Sequence, residues 1–239
     1  MIALAPPSRR RFLQHSAALG SLLLAAQQQA LALSLSALSN ADAASGVKTA
    51  LAQGARVAVD TLGRKDGFLG NPQVRIGLPG QLDDAARLMR RFGQGQRIDD
   101  LVTSLNRAAE DAVPLGRDLL VDAVQSMSVQ DAKTILAGGD TAVTDFFARK
   151  TRTPLGQRFL PVVQQSTQKV GLAQRYDAFA GKAASFGLLK QEDANLAQYV
   201  TGKTLDGLFF MIGEEERKIR RDPVGQGSAI LKKVFGATQ

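Results

Sequence analysis

Apolar residues recur with a period near 3.6 along most of the chain, a spacing typical of amphipathic α-helices. The clearest case comes near the end, where four apolar residues fall on one helical face. They are Leu205, Leu208, Phe209 and Ile212. Three glutamates and a basic turn follow, and Pro223 cannot continue a helix. This helix therefore needs a hydrophobic core, which the other segments must supply.

Similar stripes predict helices along the rest of the chain. Those used below are Val47, Leu51, Ala55, Ala58 and Leu62; Leu82, Ala85, Leu88, Met89 and Phe92; Ile98, Leu101, Leu105 and Ala112; Leu119, Ala123 and Met127; Val143, Phe146 and Phe147; Leu172, Tyr176, Phe179 and Ala183; and Ile230, Leu231, Val234 and Phe235. Ser128 and Asp131 have the spacing of a capping box. Thr153-Pro154 predicts a helix start, and Pro161 predicts a kink or a split in that helix. We predict an all-α fold, a compact single-domain multi-helix bundle.

One long segment interrupts this pattern. Residues 63–81 contain five glycines and two prolines, which forbid a helix. Several of its residues are apolar, so the segment should be an ordered loop packed on the core. A loop of this length is either a functional surface or only a lid, and the sequence favours neither. Its candidate functional positions are Phe68, Asn71 and Pro72.

The N-terminal residues have the features of an export signal. The run Ser8 to Gln14 matches the twin-arginine motif S-R-R-x-F-L-K except at Gln14. A weakly apolar run follows, too short and too mild to span a bilayer. Residues 30–32 then form a small-x-small cleavage site, and residues 41–43 form a second one. We predict that residues 1–32 are a signal peptide and that the chain reaches the periplasm without a transmembrane anchor.

The composition excludes several chemistries. The chain has no cysteine, and its only histidine is His15, inside the predicted signal peptide. After cleavage the chain would have no imidazole or thiol for nucleophilic catalysis, zinc, haem or iron–sulfur sites. An all-oxygen Ca²⁺ site at Asp66 and Asn71 stays open, but the spacing fits no EF-hand. We therefore predict no cofactor and no metal.

The net charge of +8 falls to +5 without the three leader arginines. This mild excess favours a soluble mixed-charge surface over attraction to polyanions. We expect no nucleic-acid partner and at most weak contact with a membrane surface. The partner that we expect is an envelope protein or an apolar small molecule.

Two groups of polar residues are candidate sites. Glu214, Glu215 and Glu216 point about 100° apart on a helix, so they cannot share one ligand. Glu214–Lys218 and Glu216–Arg220 have favourable i, i+4 spacing, which favours a solvated face of ion pairs. Because Glu216 also lies between apolar positions, a buried pair with Arg107 is the alternative.

The second group is Asn106, Arg107 and Glu110, on the side of their helix opposite the apolar stripe. Arg107 could clamp an anion or a carboxylate, since arginine is suited to bidentate contacts. The alternative is a polar helix face or a structural hydrogen-bond network, and this alternative is favoured.

Several sequence blocks resemble one bacterial family. They are Leu205–Phe209 with Met211-Ile212, Glu214–Glu216 and Ile219-Arg220; Leu38–Asp42; Gly67–Pro72; Ile76–Pro79; Asn106–Glu110; Met127-Ser128 with Asp131-Ala132; Leu136–Gly139; and Lys233–Gly236. Together they resemble the family catalogued as domain of unknown function 4197, over residues 38–236. The resemblance implies an exported helical protein without an assigned activity.

Two functions remain open at this point. The first is a non-enzymatic envelope protein that binds a partner or an apolar ligand, and it predicts a surface groove beside the 63–81 loop. The second is a carboxylate-based hydrolase or lyase that uses Glu216, Glu110 or Asp206 as acid or base. The second function requires two of these carboxyl groups to face one pocket.

Overall fold

The computed structural model describes residues 40–79, 86–87, 90–93, 95–168 and 195–222. Within these ranges six α-helices are described along their length, residues 86–87 and 90–91 are also helical, and there is no strand. The helices are α1 (Asn40–Leu62), α2 (Gly95–Ala112), α3 (Arg117–Gln125), α4 (Val129–Ala137), α5 (Ala142–Gln168) and α6 (Leu196–Arg221), and a 3-10 turn (Val113–Gly116) joins α2 to α3. The predicted all-α class is confirmed.

The core lies between the long helices α5 and α6, with α1 and α2 packed on them. Phe146, Phe147 and Phe159 of α5 are fully buried, as are Leu62 of α1 and Leu208 of α6. The predicted stripes of α1 and α6 are buried along their whole length. Burial of these apolar faces is the main term that holds the helices together.

The helix boundaries follow local sequence signals in several places. Ser128 caps α4 with a complete capping box, since its hydroxyl accepts from the Asp131 N–H and the Asp131 carboxylate accepts from the Ser128 N–H. Gly138 follows the last residue of α4. The Asn195 side chain caps α6 by accepting from the Gln198 N–H at 3.1 Å.

The predicted helix start at Thr153-Pro154 is wrong, because α5 continues through both Pro154 and Pro161. Each proline removes one helical hydrogen bond, which frees the carbonyl four residues earlier. Those carbonyls belong to Lys150 and Gln157, which are both exposed, so water can satisfy them. The buried face of α5 therefore determines its continuity.

Two other apolar positions differ from the expected stripes. Phe92 is 74% exposed rather than packed on the core. In α3 the fully buried residue is Leu120, while the expected Leu119 only borders the core. The predicted helices at 172–183 and 230–235 lie outside the described residues, as do residues 1–32.

Gly207 of α6 lies where the loop crosses the helix. A Cβ at this position would lie 2.7 Å from Phe68 Cε1 and 3.3 Å from Val74 Cβ, so the loop would have to move. We expect Gly207→Ala to lower the free energy of unfolding by at least about 1 kcal/mol, measured by urea denaturation.

Gly202 on the same helix is the matched control, since its Cβ would meet no atom within 4 Å. Gly202→Ala should raise stability by up to about 1 kcal/mol through helix propensity. Equal effects of the two substitutions would contradict close packing of the loop at Gly207.

Candidate functional site

Residues 63–79, which follow α1, fold as an ordered loop without helix or strand. Successive turns build it, including bonds from the Gly67 N–H to the Arg64 carbonyl (3.0 Å) and from the Arg75 N–H to the Asn71 carbonyl (2.9 Å). Asp66 has a positive φ of 65°, which aspartate tolerates better than most residues. The loop buries Phe68, Val74 and Ile76 against the helices.

Asn106 of α2 anchors the second half of the loop. Its side-chain oxygen accepts from the Ile76 N–H, and its amide nitrogen donates to the Ile76 carbonyl, both at 2.8 Å. The same nitrogen also donates to the Val102 carbonyl at 2.7 Å. Asn106 is fully buried, so one side chain satisfies both backbone groups of a buried residue.

Glu110, one turn further along α2, anchors the first half. Its Oε1 accepts from the N–H groups of Phe68 (3.0 Å) and Leu69 (3.1 Å). Arg107 donates to the other carboxylate oxygen and also to Asp66, at 2.7 Å. The bonds to Glu110 and then Asp66 raise the pKa of Arg107, so it stays cationic.

These contacts change the interpretation of the Asn106, Arg107 and Glu110 group. Asn106 and Glu110 are 0% and 3% exposed, so they do not lie on a solvated polar face of α2. Their bonds go to the loop backbone and to one another, an arrangement that fixes the loop and leaves little capacity for a ligand.

A groove runs between this loop and α6, with a volume of about 400 Å³. One wall is the loop at residues 73–77. The other wall is formed by Tyr199, Lys203, Asp206, Gly207 and Phe210. The Tyr199 hydroxyl donates to the Gly77 carbonyl at 3.3 Å, a bond that joins the two walls.

Charges at the rim of the groove are mostly positive. Asp206, the one predicted site residue in this groove, pairs with Arg152 of α5 at 2.7 Å and lies 3.9 Å from Lys203. Lys203 also lies over the Tyr199 ring, 5.8 Å from its centre. Arg75 has no ion pair with any described residue, although its charge, after that of Arg90, also lowers the pKa of Asp99. Among the described residues that line the groove, Arg75 and Lys203 are cations and Asp206 is the one carboxylate.

Sequence reasoning did not select Tyr199, Lys203 or Phe210. A signal was present, because Tyr199, Lys203, Asp206 and Phe210 follow one another at spacings of four, three and four residues, on one face of α6. Nothing local showed that this face borders the loop, since that depends on how the loop folds back.

Glu216 lies elsewhere, near the end of α4 and the start of α5. It is 4% exposed, and its Oε1 accepts from Arg220 (2.8 and 3.0 Å) and from the Val143 N–H (3.3 Å). Arg220 also donates to the Ile135 carbonyl at 3.0 Å. Glu216 Oε2 has no hydrogen-bond partner among the described residues.

The alternative pair of Glu216 with Arg107 is wrong, whereas the pair with Arg220 is present. A fully solvated face is also wrong, because Glu215 is buried as well as Glu216. Glu214 pairs with Arg217 rather than Lys218, and Lys218 pairs with Glu215 at 2.6 Å. The three glutamates thus have three separate cationic partners.

The three carboxylates of the enzymatic hypothesis do not meet. Glu110 is bonded beneath the loop, Glu216 lies beside α4, and Asp206 lies in the groove. A smaller cavity of about 240 Å³ lies between α4 and α5. Neither this cavity nor the groove is lined by two of the three.

The remaining loop candidates have structural contacts. The Asn71 side-chain oxygen accepts from the Gln73 N–H at 3.1 Å, and its nitrogen lies 3.9 Å from the Met211 sulfur of α6. Pro72 is exposed, and Phe68 is fully buried. Asp66 is neutralised by Arg107, so this part of the loop is a poor Ca²⁺ site. The described residues contain no cluster of three or more metal-binding side chains.

Removing the Asn106 side chain should release the loop. Asn106→Ala leaves the N–H and C=O of Ile76 without partners, so we expect a loss of at least about 2 kcal/mol in urea unfolding. Amide exchange at Ile76 should also become faster. In Ser104→Ala, on the same helix, an exposed bond to the Asp100 carbonyl is lost, which should cost less than about 0.5 kcal/mol. Similar losses in both variants would contradict the anchoring role.

Glu216 should make stability depend on pH. Burial raises its pKa, although Arg220 and the Val143 N–H oppose the shift. The folded protein then binds this proton more tightly than the unfolded chain. This tighter binding of the proton therefore adds its full amount to the free energy of unfolding at low pH. The added amount declines as the pH rises from about 4.3, the pKa in the unfolded chain, through the higher pKa in the folded protein.

The test compares the wild type with Glu216→Gln by urea unfolding at a series of pH values. The stability of the wild type relative to the variant should fall with rising pH in this window. A difference that stays constant with pH would show that the carboxyl group keeps its ordinary pKa.

The family comparison agrees with the resemblance seen in the sequence. The family model described as "Protein of unknown function (DUF4197)" matches residues 37–236. No curated protein and no solved structure matches the chain. Among the described residues, no helix is long and apolar enough to cross a membrane. Because the match covers most of its length, the chain belongs to the DUF4197 family.

Proposed function

We propose that this protein is an exported, non-enzymatic binding protein of the bacterial envelope, and that its binding site is the groove between residues 73–77 and α6. The observation that carries the proposal is the groove itself, about 400 Å³ in volume. Binding sites are commonly clefts with a small number of placed polar groups. This groove combines polar and apolar lining residues in similar measure.

The construction of the loop supports this role. Asn106 and Glu110 hold one wall of the groove through buried bonds to the backbone of residues 68, 69 and 76. A wall held in this way is already ordered before a ligand arrives. Binding then loses less conformational entropy than it would at a loosely held loop.

The separation of the carboxylates argues against the hydrolase or lyase. The hydrolase or lyase hypothesis requires two carboxyl groups that face one pocket. Among the described residues, Asp206 is the only carboxylate that lines the groove, and Arg152 neutralises it. A binding role makes no such demand on the groove.

Export is proposed from the leader alone. The twin-arginine motif, the apolar run and the small-x-small site follow one another in the order that export requires. The twin-arginine route is selected by a receptor that reads the motif, so the leader acts as an address and not as an anchor.

Native mass spectrometry of the chain from the periplasmic fraction tests both parts. We expect a product that lacks the leader and carries a bound molecule or partner. Gly77→Leu should remove this bound species by filling the groove, since a Cβ at Gly77 meets no atom within 4 Å and should not disturb folding.

The control is Gly139→Leu, which adds the same side chain at an exposed glycine with equally free space, away from the groove. It should keep the bound species. Loss from both variants, or from neither, would contradict a role of the groove. Recovery of the intact chain in the cytoplasm alone would contradict export.

A further inference from the structure

In the loop wall of the groove, residues 75–77 follow the last turn of the loop, and one edge of their backbone is already occupied at Ile76. A single amide, that of Asn106, bonds both the N–H and the C=O of Ile76. The two groups of one residue point to the same side in extended backbone, and those of its neighbours point to the opposite side. Asn106 therefore takes the position that a neighbouring strand would have at Ile76.

The opposite edge faces the groove. The Gly77 carbonyl accepts from Tyr199, which lines the groove, so the backbone groups of Gly77 face α6, and in extended backbone the Arg75 carbonyl faces the same way. The Arg75 N–H is used within the loop, by the Asn71 carbonyl. No described residue bonds the Gly77 N–H or the Arg75 carbonyl. The Gly77 N–H is a donor and the Arg75 C=O is an acceptor. They are spaced like the donor and acceptor that one strand offers to its neighbour in a β-sheet.

The side-chain face of Gly77 is open among the described residues. Gly77 is exposed, and a Cβ there would meet no atom within 4 Å. A glycine without neighbours allows another backbone to approach closely. An extended segment of a second chain could then pair with the edge, as in recognition by strand addition.

The charges around this edge indicate which kind of peptide segment would bind there. Arg75 and Lys203 line the groove, while the charge of Asp206 is balanced by Arg152. A purely apolar ligand would remove these cations and the free backbone groups from water without replacing their hydrogen bonds, which is unfavourable. An acidic peptide supplies both carboxylates and backbone partners.

We propose that the groove binds a short, extended, acidic peptide segment of a partner protein, which adds as a strand along Arg75–Gly77. One backbone C=O of the segment accepts from the Gly77 N–H, and one N–H donates to the Arg75 carbonyl. Its carboxylates pair with Arg75 and Lys203. This inference rests on the proposed binding function and identifies the class of partner.

A random heptapeptide phage library selected on the full chain provides the probe. Enriched sequences are synthesised with a fluorophore, and their binding is measured by fluorescence anisotropy. We expect enrichment of Asp and Glu. Lys203→Glu should weaken binding at least tenfold, because attraction becomes repulsion, and added salt should weaken binding to the wild type.

Gly77→Pro tests the strand pairing, since proline has no N–H to donate. It should weaken binding by about threefold to tenfold, as expected for one hydrogen bond. Gly77→Ala keeps the N–H and has space for its methyl group, so it should bind like the wild type. Matching thermal midpoints of the two variants show that the difference does not come from unfolding.

The outcomes separate this inference from the proposed function. Peptides that bind without acidic preference, or equally to Gly77→Pro and Gly77→Ala, contradict strand addition, but sensitivity to Gly77→Leu would still support the groove as a binding site. If Gly77→Leu displaces a small apolar molecule and no peptide is enriched, strand addition is also contradicted, and the groove is still supported as a binding site. If nothing binds in a way that depends on Gly77, both proposals are wrong.

Discussion

The hydrogen bonding of the buried loop backbone is the constraint on which this part of the molecule depends. A loop with no helix or strand has backbone groups that neither secondary structure nor water can satisfy where it is buried. Each such group left without a partner costs about 1 to 3 kcal/mol. Asn106 and Glu110 of α2 provide the missing partners at Ile76, Phe68 and Leu69. One helix therefore specifies both the loop conformation and the shape of the groove wall.

The buried charges follow the same principle in two separate places. Glu110 is balanced by Arg107 and Glu216 by Arg220, and each carboxylate also accepts from backbone N–H groups. Buried ion pairs contribute little net stability, since desolvation opposes the attraction, but breaking one is costly. They are therefore better explained as devices that hold specific elements together: the loop on α2, and the ends of α4 and α5 on α6.

The shape of the groove results from the way in which the loop is held against α2 and α6. Its loop wall is held from behind by Asn106, and its helix wall presents Tyr199, Lys203, Asp206 and Phe210. Among the described residues that line it, Asp206 pairs with Arg152 and Lys203, and the Tyr199 hydroxyl donates to the Gly77 carbonyl. The binding that we propose at this groove depends on shape, charge and backbone contacts, which agrees with a chain whose single histidine lies in the predicted leader. Membership of the DUF4197 family adds no reaction to this description.

The sequence by itself determined the helical class, the buried stripes of α1 and α6, the cap at Ser128 and the interruption between α1 and α2. These features are local, because helix periodicity, caps and glycine or proline breaks act within a few residues. The tertiary structure decided the rest: that α5 runs through Pro154 and Pro161, that Asn106 and Glu110 are buried, and that Glu216 pairs with Arg220 and not Arg107. In each case the outcome depends on which distant segment covers a residue. Burial by a distant segment changes the cost of a polar group or a missing hydrogen bond, and spacing along the chain does not contain that information.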